Sequence, residues 1–167
     1  MIEVKIESIR VSLMSPNQVV ILREVEGERR LPIFIGKSEG DAITFKLNED
    51  IAPRPLTHDL AVDIMAELGV QLKHVVIHEL RRQHFFAAII YNVNNVEMRL
   101  DARPSDAMAL AVRVNCPIYV EEAVMDEAGV IPSQEHDAQR DLGAFDDFIS
   151  SLDLGDLNDS DQDETLR

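Results

Sequence analysis

One cysteine, no tryptophan and an aromatic content of only 5% mark what this 167-residue sequence does without. Cys116 has no partner in the chain, which excludes an internal disulfide framework and fits a reducing compartment. The longest apolar runs, such as Phe85 to Tyr91, fall far short of the roughly 20 residues that a membrane-spanning helix needs. Met1 leads straight into alternating residues, and no cationic stretch precedes an apolar one, so no secretory signal is read. A basic excess is missing too: 16 Lys and Arg stand against 31 Asp and Glu, a formal net charge of −15. Nucleic-acid binders usually carry a basic footprint, because phosphate neutralisation drives their affinity. The expectation is a soluble cytoplasmic protein with no membrane association.

The acidity is concentrated. Residues 134–167 carry eleven acids against Arg140 and Arg167, while the other 133 residues carry 20 acids and 14 bases. Such a segment is either a solvated, self-repelling tail or a nucleic-acid mimic that covers a basic cleft. Within it, Leu142, Phe145, Phe148, Ile149 and Leu152 make one stripe of an amphipathic helix over 133–152, docking on the domain or on a neighbouring subunit. Residues 153–167 read as an acidic disordered tail.

Residues 1–132 show strand periodicity first. Ile2, Val4 and Ile6 alternate with charged residues, the phase breaks at Ser8, and Ile9, Val11 and Leu13 continue. Val19 to Val25 and Arg30 to Ile35 follow as strands, and at Gly36 the period becomes helical, with Ser38 placed as a helix cap ahead of Asp41. After Pro53 and Pro55, Thr57 can cap a second helix with a core face of Leu60, Ala61, Ile64, Met65 and Leu68, stopped by Gly69. Strands over 70–80, 85–91 and 96–100, a helix from Pro104 to about Val114, a short strand at 117–120 and a helical turn near 123–128 complete the pattern. Three strands and a helix thus occur twice. At an offset of 65, Ile33, Ile35, Asp41, Ala42 and Ile43 fall on Met98, Leu100, Asp106, Ala107 and Met108, as an internal duplication would place them. The class is α+β, with a mainly antiparallel sheet and helices packed on it.

Gly-rich phosphate loops, zinc-type Cys/His spacings and Gly-x-Ser-x-Gly elbows do not occur. Cys116 reads as a buried, inert thiol, and His74 and His78 share a strand face as a metal pair only if that strand is regular. Two segments gather reactive side chains. Pro53 to Leu60 brings Arg54, His58 and Asp59 to a proline-fixed helix entrance, and Leu100 to Ala107 brings Asp101, Arg103 and Asp106 to a strand end and helix start. Carboxylates at such corners can hold divalent cations, and arginine grips phosphoryl oxygens bidentately. Ion pairs of Asp101 or Asp106 with Arg54 or Arg103 that merely fix the loops account for the same residues.

The stretches Leu31 to Gly36 with Glu39, Pro53 to Leu60, Asp101 to Ala107 with Ala109 to Ala111, and Pro117 to Val120 resemble the bifunctional nuclease domain family. The resemblance spans residues 1 to about 132. It implies a compact α+β domain found in bacteria and plants, whose plant members are described as acting on both RNA and DNA.

Two hypotheses follow. The first is a phosphodiesterase acting on nucleic acid with Mg²⁺ or Mn²⁺. Asp101 and Asp106 hold the metal, joined by Glu39; His58, oriented by Asp59, activates water or protonates the leaving oxygen; Arg54 and Arg103 bind phosphate. The second is a non-enzymatic binding or assembly module in which the same residues form structural ion pairs or a subunit interface; on either hypothesis a homo-oligomer is expected.

Overall fold

The computed structural model describes residues 1–11 and 17–132. The alternation at the amino terminus becomes β1 (Ile2–Val11), antiparallel to β2 (Gln18–Glu24), with a register shift between Ile6 and Ser8. This bulge is the physical form of the phase break at Ser8. One extra residue reverses the facing of the strand, so that Ile9 packs on the same core as Ile2, Val4 and Ile6. β3 (Arg30–Ile35) completes the first meander, and α1 (Lys37–Leu47) follows it. After α2 (Thr57–Glu67), a second meander of β4 (Gln71–Arg81), β5 (His84–Val93) and β6 (Val96–Ala102) runs into α3 (Pro104–Val114). The described part ends with β7 (Ile118–Val120) and α4 (Glu122–Ala128).

The seven strands lie in the order β3-β2-β1-β7-β4-β5-β6. Three-residue β7 joins the two meanders, antiparallel to β1 and parallel to β4, and every other pairing is antiparallel. The fold is α+β. One face of the sheet carries the main core, where Leu22, Leu31, Ile33, Val75, Ile77 and Ile89 meet Ile43 of α1, Met108 and Leu110 of α3, and Val124 and Met125 of α4. A smaller cluster of Val76, Ala88 and Ile90, with Tyr119 against it, lies on the other face.

Five expectations change here. Ser38 is the second residue of α1, not its cap; Gly36 takes the extended cap conformation, at φ −65° and ψ 152°. Thr57 is likewise the first helical residue of α2, with Leu56 as cap. The α2 face expected in the core is largely outside it. Leu60, Ile64 and Leu68 are exposed, whereas Ala61 and Val62 pack on the core, because α2 lies against α3, which already covers β4 and β5. Aligning the two strand-to-helix corners by their caps, Gly36 and Arg103, moves the offset from 65 to 67 and places Glu39 opposite Asp106. His74 stacks edge-on against Tyr119, with a register shift in β4 on either side of it, so His74 and His78 do not sit on one regular strand. The amphipathic and acidic segments over 133–167 lie outside the described residues.

Two hairpins close with two-residue loops, Arg82-Gln83 and Asn94-Asn95, all four residues at φ between 50° and 63°. That left-handed pair matches the twist of the strands, and Asn tolerates it. Gln83 does not, and a side chain there costs about 1 kcal/mol or more. Gln83→Gly is expected to raise the unfolding free energy by about 0.5 to 1 kcal/mol, measured by urea titration.

Candidate active site

α1, α2 and α3 begin beside one another, each with an acid as its third residue: Glu39, Asp59 and Asp106. An open cleft of about 950 Å³ lies at their starts, lined by Ser38 and Glu39 from α1, Thr57 and His58 from α2, and Arg103 and Asp106 from α3. Apolar and proline side chains, among them Phe45, Pro53, Pro55 and Leu56, form the rest of its wall. Unpaired N–H groups and the macrodipole make helix N-termini favourable to anions.

Arg103 is the hub. Its Nε donates to Asp106 Oδ2 at 2.7 Å and its Nη2 to Asp106 Oδ1 at 3.1 Å, while Nη2 also donates to Glu39 Oε1 at 2.7 Å. The Arg103 side chain stays 67% exposed, at the open side of the cleft. His58 Nε2 lies 3.3 Å from Asp106 Oδ1, so Asp106 joins the histidine to the arginine. Burial works to raise the Asp106 carboxyl, but the hydrogen bonds from Arg103 and His58 and the charge of Arg103 hold it below its ordinary value. Arg103 is in turn held protonated, first by Asp106 and then by Glu39.

Asp59 has a different task from the one expected of it. Its Oδ2 accepts the Leu56 N–H at 2.8 Å, and its Oδ1 accepts Arg113 Nε at 2.6 Å. Orientation of His58 therefore comes from Asp106 on another helix. Arg113, whose side chain is only 3% exposed, also donates to the carbonyls of Ala109 and Ala42, and so ties α3 to both other helices. Sequence reading passed over Arg113. Its signal was a lone cation in the apolar run Ala107 to Val114, two helical turns after Asp106.

The structure brings Glu39, His58, Arg103 and Asp106 together, with Asp59 in support. Asp101 and Arg54 are elsewhere. Asp101 alternates with Leu100 and Ala102 on β6, and since Ala102 packs on the core, Asp101 faces away from the helices. Arg54 is exposed between Pro53 and Pro55, which line the cleft while Arg54 does not. Among the described residues, no three His, Cys, Asp or Glu side chains converge as a metal-ligand group. The set Glu39, Asp101 and Asp106 consequently does not fit a cation. Of that set only Glu39 and Asp106 meet, since the same cationic nitrogen of Arg103 touches one oxygen of each. Burial pushes the Cys116 thiol up to about 11, so it is no nucleophile at neutral pH.

A family model for the bifunctional nuclease domain matches residues 20–133, which include every side chain of this cluster. The chain belongs to the bifunctional nuclease domain family. An uncharacterized protein of Mycobacterium tuberculosis is 42% identical over 150 residues, covering 90% of both chains. Bifunctional nuclease 1 of Oryza sativa subsp. japonica is 23% identical over 120 residues, covering 70% of this chain and 36% of the rice protein, and the bifunctional nuclease of Oryza minuta matches to the same extent. Among the described residues of this family member, no helix is long and apolar enough to cross a membrane.

Removing Asp59 strands the buried charge of Arg113, and Asp59→Ala is expected to cost about 3 kcal/mol in urea unfolding. The Asp59 carboxyl is pushed up by burial, yet the Leu56 N–H and Arg113 together bring it below the ordinary 3.8. A lowered carboxyl gives its full stabilisation above the unfolded value and loses it as pH falls through the folded one. Thermal melts should therefore be level down to pH about 5 and then drop, with a shallower drop in Asp59→Asn.

Proposed function

We propose that this protein hydrolyses phosphodiester bonds of RNA or DNA in the cleft between the three helix N-termini. The observation that carries this reading is the meeting of His58, Asp106 and Arg103 where helix dipoles already favour a phosphate. Membership of a family that includes proteins named bifunctional nucleases supports it.

On this reading a backbone phosphate takes the place that Glu39 and Asp106 hold on Arg103, whose planar donors suit two phosphoryl oxygens. His58 donates its Nε2–H to Asp106, which fixes the tautomer with the lone pair on Nδ1. That nitrogen removes a proton from water as the water oxygen bonds to phosphorus, and the proton passes to the departing sugar oxygen as its bond to phosphorus breaks. Asp106 stabilises the imidazolium formed in between. Phe45 and the proline-rich wall give flanking bases an apolar surface. Glu39 and Asp106, released from Arg103, would hold Mg²⁺ or Mn²⁺, which when bound polarises a phosphoryl oxygen and acidifies coordinated water.

The second reading, a non-enzymatic binding or assembly module, draws on one fact: Arg103 already neutralises both carboxylates, as a structural staple would. Labelled single-stranded RNA and DNA, incubated with purified protein in Mg²⁺, Mn²⁺ or EDTA, separate the two. His58→Ala and Asp106→Asn, prepared identically, are expected to lose about 100-fold or more in cleavage with melting temperatures close to that of the wild type. Equal activity in all preparations, or variants that unfold, would favour the second reading.

A further inference from the structure

The two edges of the sheet are protected very differently. β3 is interrupted by Pro32, and its first residue, Arg30, bridges to Val130. β6 has neither device. Six of its seven residues are exposed, and among the described residues only β5 pairs with it. The two-residue turn at Asn94-Asn95 fixes which backbone groups are spent: Val93 and Val96 form the closing hydrogen-bonded pair, so Val96, Met98, Leu100 and Ala102 direct N–H and C=O toward β5. Glu97, Arg99 and Asp101 direct theirs outward. Val96, Met98 and Leu100 are 57%, 43% and 54% exposed on the helix-bearing face, which leaves an apolar row beside a row of open backbone groups. A row of open backbone groups beside apolar side chains is a template for pairing with another strand, and Glu97, Arg99 and Asp101 then decide which strand fits.

We propose that β6 is a dimerisation edge that pairs antiparallel with β6 of a second copy, on a two-fold axis through Met98. This register sets Glu97 opposite Arg99 of the second copy, and Arg99 opposite its Glu97. It sets Val96 opposite Leu100 and Met98 opposite Met98. Both Glu97 and Arg99 carry outward backbone groups, so the two ion-paired positions are also the hydrogen-bonded ones. A shift of the axis to Arg99 would place Arg99 against Arg99 and Glu97 against Asp101, which like-charge repulsion opposes. A shift to Leu100 would draw in Arg103, already engaged with Glu39 and Asp106. Paired residues of antiparallel strands point to the same face, so the helices and clefts of both copies lie on one side of a continuous sheet.

The test uses the full chain in a Cys116→Ser background, with mass read by sedimentation and folding by thermal melts. The wild-type surface is expected to give a dimer. Met98→Cys should form a covalent dimer under mild oxidation, since non-hydrogen-bonded pairs bring side chains closest, whereas Leu100→Cys should not. Arg99→Glu should weaken the dimer by about 10-fold or more, and Glu97→Arg added to it should restore it. A wild-type monomer at the highest soluble concentration overturns the proposal. So does a dimer indifferent to Arg99→Glu, or a charge swap that fails to restore assembly in a folded protein.

Discussion

A buried guanidinium holds the three helices in place. Arg113 lies almost wholly out of solvent and reaches Asp59 at the start of α2, the Ala42 carbonyl of α1 and the Ala109 carbonyl of its own helix. A charge in that position is tolerable only while its donors are occupied, so its surroundings are constrained to keep them so. The consequence is positional. With Asp59 pinned, the first turn of α2 cannot slide along α3, and His58, its neighbour in sequence, stays within reach of Asp106.

Above this anchor, the cleft combines features that oppose one another until a ligand arrives. Three helix N-termini favour an anion, but each already carries a carboxylate. Asp59 is committed to the fold, whereas Glu39 and Asp106 share one largely exposed arginine. On the proposed function, a phosphate that takes Arg103 releases both carboxylates, so that the positive charge comes from a group the fold already holds in place. This also answers the difficulty posed by the acidic composition. A nucleic-acid strand need not meet a broad basic surface if one arginine and three helix ends meet it at a single phosphate. A fragment bound this way would depend less steeply on salt than one held by many lysines.

Much of the fold was legible in the sequence because alternation and proline or glycine punctuation mark strands and helix starts directly. β3 and α3 fall where the pattern put them, and the phase break at Ser8 is a real bulge. The α2 face was misread for a physical reason: periodicity shows that a helix is amphipathic, not which partner takes its apolar side, and α3 had already covered the sheet. The site was legible in part. Both motif loops meet at the cleft, yet the strand parity that turns Asp101 away and the pairing of His58 with Asp106 rather than Asp59 are long-range facts. Arg113 was hidden because a cation inside an apolar helix looks like an exception until its three partners are known.

The most direct test of the account is a titration of isotope-labelled protein with a non-hydrolysable dinucleotide, followed by nuclear magnetic resonance. The expected result is a set of shifts confined to the amides of Ser38, His58 and Ser105 and the side-chain Nε–H of Arg103, with Arg113 and its contacts unmoved. Shifts centred on the open sheet face around Val76 and Tyr119, with the three helix starts silent, would contradict it.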